Sequence, residues 1–233
     1  VEHRCHTPSI TAPDLQALLD RGEKPVILDA RRFDEYQVMN IPGGISTPGA
    51  ELVLRARTAA PDPETPIFVN CAGRTRSLIG TQSLINAGIP NPVAAVRNGT
   101  IGWTLAGQTL EQRQQRKSEA PDAAGEEEAR RQAREVAYRA GVRHIDSHEL
   151  AYLEQDSSRT LYRFDVRLPE EYEARHPQGF RNAPGGQLVQ EIDMFAPVRG
   201  ARIVLADLRH VRADMTASWL AQMGWDVYVI IDA

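Results

Sequence analysis

An internal repeat is the feature that most constrains the fold of this chain. The same succession of segments occurs twice in the 233 residues, the second time 136 positions after the first. The matched segments are 26–31 with 162–167, 34–36 with 170–172, 48–53 with 184–189, 67–70 with 203–206, and 87–88 with 223–224. One offset held over so many segments is hard to obtain by chance and indicates a duplicated unit. The sequence therefore predicts two homologous domains.

Each copy alternates short β-rich runs with helical stretches. The β-rich runs are 26–29, 67–70 and 93–96 in the first copy, and 161–165, 203–206 and 227–231 in the second. They are too short for helices. Between two of them, residues 77–87 predict a helix that ends at Gly88, because glycine readily adopts a left-handed C-terminal cap. This alternation predicts an α/β fold with a parallel sheet in each copy, where ligands bind beyond the carboxyl ends of the strands.

The repeat also sets the expected domain boundaries. We place the first domain at residues 1–110, a linker at 111–141 and the second domain at 142–233. The linker carries glutamate and arginine pairs at i, i+4 spacing between residues 126 and 131, which favours a helix. We expect a charged, solvated and partly helical linker that ends near Gly141. A charged recognition tail is the alternative.

The two ends of the chain lead to a further expectation. The sequence starts at Val1 without an initiator methionine and stops at Ala233, directly after the apolar run 227–231. We therefore expect a piece of a longer protein with further domains, truncated within the second copy. At the repeat offset Ala233 matches Arg97, so an apolar groove left open on the second copy is expected. A fully covered face would count against this expectation.

Composition excludes several classes of protein. The chain is 42% hydrophobic and 25% charged, as is ordinary for a globular protein, and it has no apolar stretch that could span a membrane. A net charge of −4 disfavours a nucleic-acid binder, which usually has a basic face. Two cysteines, Cys5 and Cys71, cannot build a disulfide scaffold, so we expect a reducing compartment, the cytoplasm.

One loop combines position, residue types and spacing that indicate chemistry. After strand 67–70 it consists of Cys71, Ala72, Gly73, Arg74, Thr75, Arg76 and Ser77, and a helix follows. A loop of this kind can point its amide N–H groups inward to bind an anion, and Gly73 permits the backbone angles of such a curl. The amides, the helix N-terminus and the two arginines favour the nucleophilic thiolate at Cys71. Ser77 either caps the helix or hydrogen-bonds the sulfur.

The surroundings of Cys71 argue against an inert role. A single cysteine at a strand end is often a buried small hydrophobe, but two arginines within the next five positions are poor surroundings for one. Four residues separate Cys71 from Arg76, whereas cysteine phosphatases have five, which makes room for a tetrahedral phosphate. The shorter loop favours a smaller guest, a single sulfur atom carried as a persulfide.

Residues 70–77 resemble the active-site loop of rhodanese-family sulfurtransferases. The resemblance extends to Leu28, Asp29, Ala30 and Arg31 with Glu35 and Tyr36, to Ile41, Pro42, Gly43 and Gly44, and to Asn98, Gly99, Thr100, Ile101, Gly102 and Trp103. Asn40 departs from the family pattern, which often has histidine there. The resemblance implies two tandem rhodanese-like domains, each an open parallel five-stranded sheet flanked by helices.

The resemblance also implies ping-pong transfer of a sulfane sulfur. Cys71 would attack the outer sulfur of a small anionic donor such as thiosulfate, release sulfite and hold a persulfide, which cyanide or a thiol acceptor would then discharge. Residues 72–77 would bind the anions, and no metal or organic cofactor is needed. Asp29 and Arg31 would pair and shape the loop; the alternative is that the pair only stabilises the sheet edge, since the second copy repeats it.

The second copy lacks the nucleophile. Asp207 stands at the cysteine position, Arg209 at that of the glycine, and Arg212 keeps the place of Arg76. A carboxylate cannot carry a transferable sulfur, so we predict a catalytically inactive domain that is kept for packing. The alternative is that this domain shapes the entrance to the first site.

These observations predict an enzyme, a thiosulfate sulfurtransferase of the rhodanese type that acts through Cys71. We expect no nucleic-acid partner, no membrane partner and no metal; His3, Cys5 and His6 have metal-ligating residue types but no matching second cluster. Two other hypotheses stay open. One is a non-catalytic persulfide carrier or protein-binding module, and the other is phosphatase or arsenate-reductase chemistry at the same cysteine.

Overall fold

The structure is a computed structural model that describes residues 2–232, with side chains from residue 4 onward. The chain divides into two compact units, Val1–Gly125 and Glu126–Ala233. Each unit contains one five-stranded sheet, and all strand pairs in both sheets are parallel. The two sheets, each flanked by helices, confirm the predicted fold class.

The first unit forms its sheet from strands that are far apart in sequence. Its elements are α1 (Glu2–Cys5), β1 (Ser9–Ile10), α2 (Ala12–Asp20), β2 (Val26–Asp29), α3 (Phe33–Val38), β3 (Ile45–Ser46), a 3₁₀ turn (Gly49–Glu51), α4 (Leu52–Ala59), β4 (Ile67–Asn70), α5 (Thr75–Asn86), β5 (Val93–Val96) and α6 (Gly99–Leu105). The strand order is β1-β5-β4-β2-β3. The carboxyl ends of β2 and β4 therefore lie side by side at one edge of the sheet.

The second unit repeats this topology. Its elements are α7 (Ala123–Arg139), which begins just before the unit boundary, β6 (Arg143–Ile145), α8 (Ser147–Gln155), β7 (Leu161–Asp165), α9 (Pro169–Ala174), β8 (Arg181–Asn182), α10 (Gly185–Gln190), α11 (Ile192–Phe195), β9 (Arg202–Ala206), α12 (Val211–Gln222) and β10 (Asp226–Ile230). The strand order is β6-β10-β9-β7-β8. Of the helices within residues 2–232, none is both long and apolar enough to cross a membrane.

The central strand and the helix that follows it form where the sequence predicts them. All four residues of β4 are buried, as expected for a strand covered by helices on both faces. α5 starts two residues earlier than predicted and ends at Asn86. Gly88 has a φ of +73°, and its N–H donates to the Ile85 carbonyl at 3.0 Å. The glycine therefore terminates the helix in the way that its conformational freedom suggests.

The repeat offset changes at the last strand. Val69 pairs with Ala95 in the first sheet, and Leu205 pairs with Val229 in the second. Val69 and Leu205 are 136 positions apart, but Ala95 and Val229 are only 134 apart. Because residues 223–224 still match 87–88, the connection from there to the paired residue of the last strand is two residues shorter in the second copy.

Because of the shorter connection, Ala233 matches Gly99, and the expected match with Arg97 is wrong. The first copy uses its longer connection to place Asn91. The side-chain amide of Asn91 donates to backbone carbonyl oxygens of Ala60, Asp62 and Thr65, at 2.8 to 3.3 Å. Asn91 in this longer connection thus binds the segment that precedes β4.

The first part of the predicted linker extends the sheet of the first unit. Asn40 and Glu111 exchange backbone hydrogen bonds of 2.8 and 2.9 Å. The Ser46 N–H donates to the Arg116 carbonyl at 3.0 Å, and the Ser46 carbonyl accepts from the Ser118 N–H at 3.1 Å. These bonds cover the otherwise unpaired edge of β3, which limits pairing with another chain.

The second part of the predicted linker is helical, as expected, but it is not solvated all round. The buried residues of α7 are Ala129, Gln132, Ala133, Val136 and Ala137. Glu126 pairs with Arg130 at 3.2 Å as predicted, whereas Arg131 pairs with Glu128 at 2.7 Å. The high charge of the segment concealed an apolar stripe of alanines at helical spacing, which packs within the second unit.

The face of the second sheet where an open groove was expected is partly filled. In the first unit Trp103 of α6 is fully buried on the corresponding face. The second copy has Tyr228 where the first has Ala94 and Phe180 where it has Gly44, and both aromatic rings are buried. Beside them lies a cavity of about 430 Å³ with an apolar and charged lining: Arg143, His144, Ile145, Glu149, Tyr152, Leu153 and Tyr228. Larger side chains of the copy itself therefore occupy part of the expected groove.

Candidate active site

The predicted nucleophile lies at the carboxyl edge of the first sheet. β4 ends at Asn70, Cys71 follows directly, and α5 starts at Thr75. Cys71 is a free thiol and only 2% of its surface is exposed, whereas the Arg74 and Thr75 side chains after it are exposed. The buried sulfur and the exposed far side of the loop create a site that a small molecule would approach from the loop side.

Helix α6 fixes the base of this loop. The N–H of Thr100 donates to the Cys71 carbonyl at 2.9 Å, and that of Ile101 donates to the Ala72 carbonyl at 3.0 Å. Gly99 makes this close approach possible, because a Cβ there would lie 2.0 Å from the Cys71 carbonyl oxygen and its φ is +53°. The carbonyls at the start of the loop are thereby fixed.

The structure assigns a different role to Gly73 than the sequence suggested. The backbone of Gly73 does not adopt a positive φ, and a Cβ added there would meet no atom within 4 Å. The expectation that Gly73 supplies an unusual backbone angle is therefore wrong. Its lack of a side chain instead leaves open space in the middle of the loop, and Gly99 is the glycine that the local geometry requires.

Ser77 contacts the sulfur. The Cys71 thiol donates to Ser77 Oγ, with 3.4 Å between the sulfur and oxygen atoms, and the Ser77 hydroxyl donates to the Arg74 carbonyl at 3.0 Å. The N-cap of α5 is Arg74, which has no side-chain capping bond. Of the two alternatives for Ser77, the contact with the sulfur is the one found. The hydroxyl can also turn to donate to a thiolate, because its rotor is free to reorient.

The two arginines of the loop differ in their surroundings. Arg74 is exposed, whereas the Arg76 guanidinium forms two parallel bonds with the Glu35 carboxylate, of 2.6 and 2.8 Å, and its side chain is 10% exposed. Burial lowers the pKa of Arg76, but the hydrogen bonds and charge of Glu35 outweigh it and raise this pKa, with a smaller contribution from Cys71. Arg76 is therefore a fixed, permanent positive charge near the sulfur.

A buried ion pair connects the loop to the neighbouring strand. Arg31 and Asp29 are both almost fully buried, and their closest nitrogen–oxygen distance is 2.7 Å. Asp29 also accepts from the side-chain amide of Asn70 at 3.1 Å, and Arg31 donates to the Met39 carbonyl at 2.5 Å.

The second copy contains the same pair, in which Arg167 lies 2.5 Å from Asp165 and also donates to the Arg175 carbonyl. Stabilisation of the sheet is therefore common to both copies, whereas the bond from Asn70, next to Cys71, is specific to the first, because Ala206 occupies this place in the second.

In the corresponding loop of the second copy, a side-chain carboxylate occupies the place of the cysteine. The Asp207 carboxylate accepts from the backbone N–H of Arg209 at 3.2 Å and that of Arg212 at 2.8 Å. The Arg212 guanidinium donates to Asp207 at 2.9 Å and also pairs with Glu171 at 2.5 Å. The cavity next to Asp207 has no room for a water molecule. A carboxylate of the chain therefore neutralises the donors of this loop.

Within the described residues, no group of three or more His, Cys, Asp or Glu side chains could hold a metal ion. Of the residues with metal-ligating types near the start of the chain, the side chain of His3 lies outside the described residues, and Cys5 ends the four-residue helix α1. His210 and Asp207 lie in the same loop, but they have no third ligand there.

Comparison with known proteins identifies the family. Residues 11–106 match the model of the rhodanese-like domain. A crystal structure of thiosulfate sulfurtransferase from Pseudomonas aeruginosa is 63% identical to the chain, covers 100% of it and superposes with a TM-score of 0.99. The chain belongs to the rhodanese-like family. It spans 44% of the length of that Pseudomonas protein.

Two further solved structures are similar to this rhodanese-like chain. The Alr3790 protein from Anabaena sp. is 26% identical and covers 44% of the chain with 91% of its own length, at a TM-score of 0.41. The structure of SseA from Escherichia coli, described with the catalytic mechanism of 3-mercaptopyruvate sulfotransferases, is 17% identical over 97% of this chain and 98% of its own, at a TM-score of 0.35. The comparison with curated proteins found no match.

Two residues that hold the rhodanese-like site in place could not be assigned a role from the sequence. Glu35 and Gly99 belong to segments that resemble the family, but their partners lie 41 and 28 positions away, as Arg76 and Cys71. The signals that could have found them are the glutamate that the second copy repeats as Glu171 and the Asn98-Gly99 pair at the start of α6. Neither signal names its partner without a structure.

Proposed function

We propose that the chain is a thiosulfate sulfurtransferase that carries the transferred sulfur on Cys71. The observation that carries this proposal is the position of Cys71, buried at the start of the β4–α5 loop that also holds the fixed guanidinium of Arg76, in a chain 63% identical to a thiosulfate sulfurtransferase. Parallel α/β sheets bind ligands at this edge. The arrangement suits a small anion and a nucleophilic thiolate.

In the first half-reaction the Cys71 thiolate attacks the outer, sulfane sulfur of thiosulfate. The sulfur–sulfur bond of thiosulfate breaks, its electron pair leaves with sulfite, and Cys71 holds a persulfide. In the second half-reaction cyanide or a thiolate acceptor attacks the outer sulfur of the persulfide. Thiocyanate or a new persulfide leaves, and the Cys71 thiolate is regenerated. Atoms and charge balance with these reactants alone.

The loop residues have distinct roles in this scheme. Arg74 is exposed and attracts the dianionic donor, while the open space above Gly73 receives it. The loop amides and Arg76 stabilise negative charge as the sulfur–sulfur bond breaks. Ser77 Oγ lies 3.4 Å from the sulfur, and its hydroxyl turns to donate to the sulfur once Cys71 is a thiolate.

Other parts of the chain support the loop without contacting the substrate. Asp29 pairs with Arg31 and accepts from Asn70, which connects the end of β2 to the end of β4 just before the loop. The second unit has no nucleophile at Asp207 and serves a structural role. Cys5 and Cys71 are both free thiols, which fits work in a reducing compartment such as the cytoplasm.

Steady-state turnover of thiosulfate and cyanide to thiocyanate tests the proposal. We expect turnover by the wild type and by Cys5→Ser, which changes the exposed cysteine, but none by Cys71→Ala. Equal turnover by Cys71→Ala would overturn it. Formation of a persulfide without turnover would indicate the carrier module instead, and hydrolysis of a phosphate ester by the wild type would indicate phosphatase chemistry.

A further inference from the structure

The same glutamate–arginine ion pair occurs in both copies. Glu35 in α3 holds Arg76 through bonds of 2.6 and 2.8 Å, and Glu171 in α9 holds Arg212 through bonds of 2.5 and 3.1 Å. In both cases the arginine follows the central strand and belongs to the first turn of the next helix. The two copies can therefore be compared directly: the same ion pair occurs once in a loop with a cysteine and once in a loop without one.

The second copy shows what such an arginine faces. The Arg212 guanidinium bridges Glu171 and Asp207, the residue at the cysteine position, with 2.9 Å between Nη2 and Oδ1 and 3.2 Å between Nε and Oδ1. An arginine that is held by the glutamate thus presents its remaining N–H groups to the group at the strand end. In the first copy that group is the sulfur of Cys71.

The carboxylate of Glu35 is itself held in place. Its Oε2 atom accepts from the backbone N–H of Arg32 at 3.3 Å, which closes the first turn of α3, and also from Nη1 of Arg76. An unpaired arginine on a flexible stem would extend into water. Two parallel bonds to a fixed carboxylate instead define both the position and the plane of the guanidinium.

We propose that Glu35 is a positioning residue for sulfur transfer, which holds the Arg76 guanidinium next to the charged sulfur of Cys71. Glu35 does not contact the donor. This inference rests on the proposed function. It assigns the two loop arginines to different steps: exposed Arg74 acts when the donor binds, whereas Arg76 acts when negative charge develops on the sulfur. Loss of Glu35 therefore affects kcat rather than KM.

The chain provides a matched control for the test. Glu35→Gln and Glu171→Gln remove the same charge from the same kind of ion pair, and Glu35 and Glu171 are similarly exposed, at 28% and 32%. Glutamine keeps the size of the side chain and can still accept from the α-helix N-terminus. Arg212 keeps Asp207 as a second charged partner, so thermal unfolding of each variant separates a general loss of stability from a loss of turnover.

We expect Glu35→Gln to lower kcat of the thiosulfate and cyanide reaction by about tenfold with KM for thiosulfate little changed. Glu171→Gln should keep the wild-type kcat, and Glu35→Asp should fall between wild type and Glu35→Gln, since it keeps the charge at a shorter reach. Wild-type kcat in Glu35→Gln, equal losses in the two glutamine variants, or a change confined to KM would each overturn the inference. Failure of the proposed function is distinguishable, because the wild type itself would then show no turnover.

Discussion

The backbone of Cys71 is packed against a glycine in a different element. Gly99→Ala would place a Cβ 2.0 Å from the carbonyl oxygen of Cys71, on a backbone with a φ of +53°. The start of α6 or the loop must then move, and the hydrogen bonds between them weaken. We expect a loss of about 1–3 kcal/mol in the stability of the first unit, as typical of overpacking, measured by urea unfolding. Turnover should fall as well.

Gly73→Ala is the matched control for this stability measurement. Its Cβ would meet no atom within 4 Å, and its backbone has no positive φ, so the urea midpoint should stay at the wild-type value. If Gly73→Ala and Gly99→Ala destabilised the protein equally, the argument from close approach would be contradicted.

Asp207 in the second copy offers a different prediction, because its carboxylate neutralises a buried arginine. The side chains of Asp207 and Arg212 are 0% and 1% exposed. Asp207→Asn leaves the guanidinium with Glu171 as its charged partner, and removal of one member of a buried pair costs about 3 kcal/mol. We expect this loss in the unfolding of the second unit, with sulfur transfer retained. Wild-type stability in Asp207→Asn would refute this account of the second loop.

At the residue scale, the sequence was enough to single out residues 71–77 as the candidate site, but it did not identify the residues that support this loop. A cysteine and two arginines after a strand are informative by residue type alone. The sequence did not predict that Arg74 is exposed and Arg76 is held in an ion pair. This difference comes from Glu35, which lies next to Arg76 only in the folded chain. The misassigned role of Gly73 has the same cause, since backbone angles in a loop depend on what packs against it.

Among the elements, the strands were predictable and the segment between the repeats was not. β2, β4 and β5 have the predicted bounds, because short, mainly apolar runs between polar loops have few other solutions. The charged segment was misread as fully solvated. Its alanines contribute little hydrophobicity each, so the charges dominate the pattern although Ala129 and Ala133 are buried.

The packing of α7 can be tested with two substitutions on opposite faces. Ala133 is fully buried, and Arg131 has a side chain that is 63% exposed. Ala133→Asp would bury an unpaired carboxylate, so we expect a loss of about 3 kcal/mol or more in the unfolding of the second unit. Arg131→Ala should change the urea midpoint little. If Ala133→Asp left the urea midpoint unchanged, the segment would instead be a solvated linker, as the sequence predicted.

For the whole molecule, one ion pair in each unit makes stability depend on pH. Burial raises the pKa of Glu35 and of Glu171, but the hydrogen bonds and charges of Arg76 and Arg212 outweigh it, so both pKa values are lowered in the folded state. A lowered pKa contributes stability that is complete above the ordinary value of 4.5 and is lost as the pH falls through the folded-state pKa.

The double variant Glu35→Gln/Glu171→Gln lacks these two titrations. We therefore expect its unfolding temperature to fall less than that of the wild type between about pH 5 and about pH 3. Differential scanning calorimetry at a fixed ionic strength measures this difference. Parallel pH dependence of the two proteins would contradict the assignment of acid sensitivity to these pairs.

The proposed function requires that Cys71 carries the transferred sulfur. The most direct measurement is the intact mass of the protein after reaction with thiosulfate and removal of the donor, followed by cyanide. We predict that wild type and Cys5→Ser each gain the mass of one sulfur atom and lose it with cyanide, while Cys71→Ser gains none. An unchanged wild-type mass, or a sulfur adduct that persists in Cys71→Ser, would contradict the claim.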